Sequence, residues 1–302
     1  MPKPVAATLP IPTTGASWRK SLALMKPVTW FAPSWAFLCG AIASGAAHWS
    51  VASVGRIALG MLMSGPIVCG LSQVINDYCD RDVDAINEPQ RLIPSGQVST
   101  HQIFVTIGCL TLATLLCAIV LGRDVVLFTA LGLLLAVVYS AHPVRLKRNG
   151  WAGNASVAIA YEGLAWLAGH SSVASLTQAS LVVAMLYSLG AHGIMTINDF
   201  KSVAGDRRMG IKTIPVLYGE RSAAWQAIGL MNLAQLLVIM LFVYRGQWQI
   251  AMIIGALLVV QLPLQRIFLR DPRAKAIFYN ASGTSFFVWG MLAAAIGLAI
   301  KS

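Results

Sequence analysis

The sequence predicts an all-α protein that crosses a membrane about nine times. Of its 302 residues, 57% are hydrophobic and only 11% are charged, and the mean hydropathy is +0.70. Apolar runs recur from about residue 28 to the end, and a helix needs roughly 20 apolar residues to cross a hydrocarbon core about 30 Å thick. These runs are continuous and do not alternate with polar residues. They therefore indicate helices and not the strands of a barrel.

The apolar runs place the spans in order along the chain and leave a short polar segment before them. The predicted spans lie near 28–48, 56–78, 102–121, 125–141, 152–170, 176–199, 223–244, 248–268 and 280–300. Segment 1–25 lacks the apolar core of a signal peptide, so we predict a flexible cytoplasmic arm there. Residues 26–302 then form a single transmembrane domain.

The basic residues are distributed unequally between the two sides of the membrane. With the N-terminus in the cytoplasm, all but four of the 22 Lys and Arg residues fall on the cytoplasmic side. The four exceptions are Arg56, Arg123, Arg245 and Lys301. This positive-inside bias supports the nine spans and places the C-terminus on the opposite side. The net charge of +11 is therefore mostly a topology signal, with a share for an anionic substrate, and does not indicate a nucleic-acid partner.

An acidic motif, Asn76-Asp77-x2-Asp80-x3-Asp84, lies at the end of the second predicted span. At about 100° per residue, the carboxylates of Asp77, Asp80 and Asp84 fall within about 60° on one helix face. Asp82 points roughly the opposite way. Three carboxylates on one face form a hard-oxygen site suited to Mg²⁺, which leaves positions open for phosphate oxygens. We predict that these three aspartates bind metal, although solvated acids at a helix end are the alternative.

A second motif of the same form, Asn198-Asp199-x2-Ser202-x3-Asp206, lies at the end of the sixth predicted span. Both motifs end even-numbered spans, so both lie on the cytoplasmic side. We interpret them as an internal repeat, in which two acidic helix ends face each other across a central cavity. Asp199 and Asp206 are predicted as further metal ligands. Asn76, Asn198 and Ser202 are predicted to contact the substrate.

The two motifs carry more negative charge than two metal ions balance. Five aspartates and a diphosphate carrying about −3 leave about −4 once two Mg²⁺ are bound, so protein cations must supply the remainder. Arginine suits bidentate phosphate contacts and lysine acts as a point charge. Arg91 and Lys147 are the predicted catalytic cations. The further predicted substrate contacts beside the motifs are Tyr139, Arg145, Lys201 and Lys212.

With both motifs placed, the chain resembles the UbiA superfamily of intramembrane prenyltransferases from about residue 20 onward. Four strings resemble its chlorophyll synthase branch: INDYCDRDVDAINEPQR (75–91), HPVRLKRNGW (142–151), YEGLAW (161–166) and GAHGIMTINDFKSVAGDRRMGIKTIPV (190–216). Parts of the last two are more similar to its bacteriochlorophyll synthase members. The resemblance implies a nine-helix bundle, two Mg²⁺ and a lateral opening for an isoprenoid tail. Ser202 stands where many superfamily members carry an aspartate.

The resemblance also implies an activity. It is the Mg²⁺-dependent transfer of a geranylgeranyl or phytyl group from its diphosphate to the propionate of chlorophyllide a or bacteriochlorophyllide a. The expected location is a bacterial inner or photosynthetic membrane, with the lipid bilayer and other pigment-biosynthesis or photosynthetic proteins as partners. A propionate is already ionised at about pH 7, so the reaction needs no general base.

Two ionisable residues lie inside predicted spans. Glu162 is the carboxylate predicted deepest in the bilayer, where a functional role is the default. It would either orient polar groups of the acceptor or pair with a buried cation. His192 lies seven residues before Asp199 on the same helix face. A packing role for His192 is favoured over ligation of the central metal of a tetrapyrrole.

Two other functions remain open from the sequence. A prenyltransferase acting on a quinone precursor or haem would share both acidic motifs, and only the strings at 161–166 and 190–216 argue against it. A cation-coupled transporter would place acids deep in the spans and break helices at the midplane. The acids here gather mostly at one surface, which favours the prenyltransferase.

Overall fold

The structure is a computed structural model that describes residues 17–46 and 50–300. Within these ranges the chain is almost entirely helical, and its one β-bridge joins Asn149 to Lys212. The all-α prediction is therefore confirmed for the described residues.

Fourteen α-helices follow one another in chain order. They are α1 Ser17–Leu24, α2 Phe31–Ala43, α3 Val51–Leu62, α4 Gly70–Asn87, α5 Thr100–Leu121, α6 Arg123–Ser140, α7 Gly150–Ala158, α8 Ala165–Ser171, α9 Gln178–Asp199, α10 Val203–Arg208, α11 Ile214–Tyr218, α12 Glu220–Tyr244, α13 Trp248–Arg270 and α14 Pro272–Ile300. A π turn at Met63–Cys69 joins α3 to α4, and a second at Ile159–Leu164 joins α7 to α8. Short 3-10 turns at Pro27–Thr29 and Leu146–Arg148 precede α2 and α7.

In the described part of the chain, seven helices are long and apolar enough to cross a membrane. One of them is the continuous helix Val51–Ile86, which contains α3 and most of α4. The first predicted span corresponds to the shorter apolar helix Pro27–Ala43. The fifth, predicted at 152–170, corresponds to α7 and α8 with the π turn between them. Every predicted span has a helical counterpart, and the count of nine crossings stays a prediction.

Short polar side chains begin four of the long helices. In each case a side-chain oxygen at the cap accepts a hydrogen bond from a backbone N–H in the first turn, which satisfies a group that has no partner within the helix. These caps are Ser50, Ser99, Asn149 and Thr177. Between α5 and α6 the chain reverses at Gly122, whose φ of 129° is open to glycine and strained for other residues.

The predicted arm, 1–25, lies partly outside the described residues, since 1–16 are not among them. Its last third is helix α1. Leu24 is 2% exposed and packs in a cluster with Val74, Val98 and Ile103. The hydroxyl oxygens of Ser21 and Thr106 lie 3.1 Å apart. Residues 17–24 therefore differ from the predicted flexible arm, because burial of an apolar side chain holds this helix against the bundle.

The main apolar core lies among α2, α8, α9, α12, α13 and α14. Helices α2 and α8 come so close that a Cβ added to Gly40 would lie 1.9 Å from the carbonyl oxygen of Trp166. Trp166 is fully buried, and its Nε1 donates a hydrogen bond to Ser180 Oγ at 2.8 Å. This close packing forms one wall of a large cavity, which α4, α6, α9 and α14 enclose on the other sides.

Candidate active site

A cavity of about 1250 Å³ runs from the ends of α4 and α9 into the bundle. One end of it is polar and is lined by Asn76, Arg91, Tyr139, Asn198 and Lys201. Most of the remaining lining is apolar and includes Phe31, Trp35, Phe128, Leu135 and Ile194. Each acidic motif contributes its asparagine to the polar end. The prediction that both motifs face one central cavity is therefore confirmed.

The first motif forms ion pairs along one face of α4. Asp77 Oδ1 accepts a hydrogen bond from Lys26 Nζ at 2.6 Å, and Asp84 Oδ2 accepts one from Arg91 Nη1 at 2.9 Å. Arg91 Nη1 also lies 3.8 Å from Asp77 Oδ1. Asp82 points away, and its side chain is 82% exposed. The helical spacing thus places Asp82 apart from the other motif carboxylates, as predicted.

The third carboxylate of this face, Asp80, contacts two cations from the loop after α6. Arg145 Nη2 donates to Asp80 Oδ1 at 2.7 Å, and Lys147 Nζ contacts Oδ2. Lys147 also donates to Asn76 Oδ1 at 3.0 Å. Burial lowers the pKa of Lys147, and the Asp80 carboxylate opposes that shift because it favours the charged amine. The loop therefore delivers two positive charges to the middle of the motif.

Two of these four cations have a strained backbone. Lys26 has a φ of 47° and Arg145 a φ of 44°, and they are the non-glycine residues with positive φ in the described ranges. Such a conformation costs on the order of 1–3 kcal/mol and is often found where function requires it. In both cases the side chain reaches a carboxylate of the first motif, Asp77 or Asp80.

The second motif is held by neutral donors. Asp199 Oδ2 accepts from Asn154 Nδ2 at 3.0 Å. Asp206 Oδ2 accepts from Ser202 Oγ at 2.7 Å and from Thr213 Oγ1 at 3.4 Å. Burial raises the pKa of the Asp206 carboxyl, and the hydrogen bonds from Ser202 and Thr213 oppose that shift. Among the described residues no Lys or Arg nitrogen lies within 4.0 Å of either carboxylate.

The donor set suits a hard divalent cation. The five motif carboxylates offer only oxygen ligands, which is the preference of Mg²⁺. In the described residues, no group of three His, Cys, Asp or Glu side chains converges closely enough to hold a metal ion. An open arrangement is what a metal carried by a diphosphate needs, because Mg²⁺ retains water and phosphate oxygens as ligands. The carboxylates without cation partners, Asp199 and Asp206, leave the most negative charge for such an ion to neutralise.

The other predicted contacts fall in two groups. Tyr139 and Lys201 line the cavity, as noted above. The side chain of Lys212 is exposed. The contacts that this residue makes are hydrogen bonds of its backbone. Its N–H donates to the carbonyl of Arg148 at 3.0 Å, and its carbonyl accepts from the N–H of Gly150 at 2.8 Å. This bridge joins the loop after α10 to the loop that carries Lys147.

Glu162 and His192 lie in different surroundings. Glu162 is 8% exposed and lines the cavity from the π turn, and its carboxyl has no hydrogen-bond or ion-pair partner among the described residues. One predicted alternative was that Glu162 pairs with a buried cation, and the described residues contain no such cation partner. His192 faces α7, where its Nε2 lies 3.3 Å from the carbonyl oxygen of Trp151 and the two rings are 5.2 Å apart. These are the contacts of a packing histidine.

Several side chains that touch the motifs were not predicted from the sequence. Lys26 contacts Asp77, Asn154 contacts Asp199, and Asn280 Nδ2 donates to Asn198 Oδ1 at 2.7 Å. A signal existed for the two asparagines, because polar residues inside apolar spans usually have a partner or a function. The sequence carried no comparable signal for Lys26, which looks like one more basic residue before the first span.

The fold and this site together define a polytopic α-helical membrane protein with two acidic motifs at one end of a deep cavity. Comparison with known proteins identifies the family within that class. The profile of the UbiA prenyltransferase family matches residues 31–299. The chain belongs to the UbiA prenyltransferase family, and the resemblance predicted from its motifs is confirmed.

The relatives support the same branch of the family. The chain is 57% identical over 280 residues to the bacteriochlorophyll synthase 34 kDa chain of Chloroflexus aurantiacus, across 93% of this chain and 90% of that one. It is 44% identical over 287 residues to the bacteriochlorophyll synthase 33 kDa chain of Rhodobacter capsulatus, across 93% of each. A UbiA homolog from Archaeoglobus fulgidus bound to GPP and Mg²⁺ has the same fold. Its TM-score is 0.69 at 22% identity, across 92% of this chain and 99% of that one.

Proposed function

We propose that this protein esterifies the propionate of a chlorophyllide or bacteriochlorophyllide a with geranylgeranyl or phytyl diphosphate, the last step of (bacterio)chlorophyll biosynthesis. The observation that carries the proposal is similarity to bacteriochlorophyll synthase over nearly the whole chain. The cavity supports it, because the two acidic motifs lie at one polar end of a large apolar space. The protein works in a bacterial inner or photosynthetic membrane, with both motifs on the cytoplasmic side.

The polar end of the cavity has the charges that a metal diphosphate requires. Two Mg²⁺, five carboxylates and a diphosphate leave a remainder of about −4. The structure brings four cations to the first motif, which are Lys26, Arg91, Arg145 and Lys147. The site is therefore close to neutral when the metal and the diphosphate are both bound.

The motif aspartates and the nearby cations have separate roles in breaking the bond between C1 of the prenyl group and the diphosphate oxygen. The metal ions would be held by Asp77, Asp80, Asp84, Asp199 and Asp206. When bound, Mg²⁺ neutralises negative charge on the departing diphosphate. Arg91 and Lys147 donate hydrogen bonds to phosphate oxygens and stabilise the same charge. The bonding electron pair leaves with the diphosphate, and C1 becomes an allylic cation.

The body of the cavity protects that cation until the acceptor attacks. Its apolar lining, which includes Phe128, Leu135 and Ile194, excludes water that would otherwise capture C1. The acceptor propionate is ionised near neutral pH, so one of its oxygens attacks C1 directly and forms the ester. The catalytic contribution of the protein is therefore positioning and electrostatic stabilisation.

The first test is a transfer assay on membranes that contain the protein, geranylgeranyl diphosphate and bacteriochlorophyllide a. We expect esterified pigment with Mg²⁺, none with EDTA, and recovery when Mg²⁺ is restored. Asp80→Asn removes a charge from the predicted metal site and lowers the rate by at least roughly 100-fold. Asp82→Asn is the matched control, since that exposed carboxylate lies off the motif face and its loss leaves the rate unchanged.

Parallel reactions with a quinone precursor and with haem identify the acceptor. Release of diphosphate without esterified pigment shows that the protein is a prenyltransferase with a different acceptor. No transfer with any of these acceptors contradicts the proposal and favours a transport function.

A further inference from the structure

Glu162 is a carboxyl in the cavity wall that the proposed reaction does not use. The hydroxyl group of the neighbouring residue, Tyr161, has hydrogen-bond partners. Its oxygen lies 3.1–3.2 Å from the side chains of Cys69, Ser72 and Gln73. Glu162 has no such contact among the described residues, although it is 8% exposed and faces the cavity. Its carboxyl oxygens are open to the cavity, so they can form a hydrogen bond with a group of the bound substrate.

The backbone that carries Glu162 is packed on both sides. The residue lies within the π turn Ile159–Leu164, and π turns inside helices are frequent at functional sites. On one side, Gly163 packs so tightly against α9 that an added Cβ would lie 2.6 Å from Ser188 Oγ. On the other side, α8 packs against Gly40 of α2 through backbone contact. The carboxyl is therefore mounted on rigid elements.

Two neighbouring helices give the depth of Glu162 in the cavity. Asn154, which binds Asp199, lies eight residues before Glu162. At 1.5 Å per residue this separation is about 12 Å. Ser188, which packs beside Gly163, lies eleven residues before Asp199, or about 16 Å along α9. Both values place Glu162 well below the motif aspartates, beyond reach of the diphosphate and of the propionate that reacts there.

The apolar surroundings of Glu162 favour a protonated, uncharged carboxyl that donates a hydrogen bond. Many side chains that line the cavity below its polar end are apolar, including Phe128, Leu135 and Ala165. An isolated ionised carboxylate is costly in such surroundings, whereas a neutral carboxyl offers one O–H donor. A prenyl chain has no acceptor for that donor. A tetrapyrrole with a carbonyl substituent does.

We propose that Glu162 determines acceptor specificity by donating a hydrogen bond to a carbonyl substituent on the macrocycle edge remote from the reacting propionate. The inference rests on the proposed function and names the group that is recognised. The ring ketone adjoins the propionate and stays near the polar end of the cavity. The acetyl group of bacteriochlorophyllide a lies on an edge away from the propionate, so it would extend toward Glu162 when the propionate lies at the polar end. In the vinyl analogue of that pigment, a hydrocarbon takes its place.

The test compares these two acceptors, which differ only at that substituent. The native protein, Glu162→Gln and Glu162→Leu are assayed with each acceptor at saturating geranylgeranyl diphosphate. We expect the native protein to prefer the acetyl acceptor in kcat/KM. Glu162→Leu should reduce that preference by roughly 3- to 10-fold, the loss of one hydrogen bond. Glu162→Gln keeps an N–H donor at the same place and retains most of the preference.

The possible results separate a folding defect from a loss of acceptor recognition and from a failure of the proposed function. Unchanged kcat/KM of Glu162→Leu with the vinyl acceptor shows that the variant folds, and an unchanged KM for the diphosphate places the effect at the acceptor. Equal losses with both acceptors overturn the inference, as does a native protein that does not distinguish them. A changed KM for the prenyl diphosphate overturns it as well, and places Glu162 beside the prenyl chain. If the native protein esterifies neither pigment, the proposed function itself has failed.

Discussion

At the scale of single residues, the first motif combines charge with backbone strain. Lys26 and Arg145 have left-handed φ angles, and each reaches an aspartate on the inner face of α4. A strained conformation persists only where its surroundings determine it, and here an ion pair within a packed cavity does so. A bound metal would compete with these cations for the same carboxylate oxygens. Each cation would then be free to contact a phosphate oxygen close by.

Lys26 is therefore predicted to contact the diphosphate once metal is bound. Replacement by Gln should lower kcat/KM for geranylgeranyl diphosphate by about tenfold, because one charge-assisted hydrogen bond to the diphosphate is lost. Steady-state kinetics at fixed acceptor concentration measure the effect. Lys20→Gln is the control, since Lys20 Nζ donates to the carbonyl of Gln97, away from the cavity. Equal kinetics for the two variants would show that Lys26 serves only the membrane topology.

At the scale of elements, close helix packing positions the site. Helices α2 and α8 touch through backbone atoms at Gly40 and at Gly169, where an added Cβ would lie 2.0 Å from the carbonyl oxygen of Phe37. Small residues permit this approach, as is common between membrane helices. Residues of both helices line the cavity, so their close contact fixes the position of the wall that also carries Glu162.

A matched pair of glycine substitutions tests the contact. Gly40→Ala places a Cβ 1.9 Å from the carbonyl oxygen of Trp166, and backbone on both sides prevents an easy adjustment. We expect the free energy of unfolding to fall by about 1–3 kcal/mol, with a lower Tm in detergent. Gly55→Ala meets no atom within 4 Å, so its Tm should stay the same or rise slightly. An unchanged Tm for Gly40→Ala would contradict the close packing of α2 and α8.

At the scale of the whole molecule, the two ends of the bundle differ in what their charges do. At the motif end, four cations pair with the carboxylates of the first motif beside the polar end of the cavity. At the other end, Arg56 Nη2 donates to the carbonyl oxygen of Leu121 at 2.6 Å and to that of Ser172 at 3.0 Å. These carbonyls lie at the ends of α5 and α8 and have no partner within their helices. Arg56 thus joins two helix ends, whereas the acidic motifs lie at the opposite end of the bundle.

The orientation of the bundle yields a prediction about the termini. An odd number of spans with the motifs inside places the N-terminus in the cytoplasm and the C-terminus outside. Green fluorescent protein fused to the N-terminus should fluoresce, and alkaline phosphatase fused to the C-terminus should be active. The reverse pair of fusions is the control and should give low signals. Fluorescence from a C-terminal fusion would mean that the number of crossings is even.

Much of the site could be predicted because its parts are local. The offsets within each motif set the helix face of Asp77, Asp80 and Asp84, since an α-helix has a fixed period. Lys147 was predicted to contact the diphosphate because it lies beside a motif. Lys212 was predicted for the same reason. Its side chain is exposed, because the backbone bridge to the loop of Lys147 determines where it lies.

The helical membrane fold, the two acidic motifs and the family are all predictable from the amino-acid sequence, because each depends on composition, period or a continuous string of residues. Which groups meet depends on the three-dimensional packing of the helices. This packing brings Lys26 to Asp77 across 51 positions and Asn154 to Asp199 across 45. Within residues 17–46 and 50–300 it leaves the Glu162 carboxyl facing the cavity without a partner. Such contacts depend on helix rotation, on π turns and on the close approach of α2 to α8. Those features arise from packing over the whole bundle, and no local pattern encodes them.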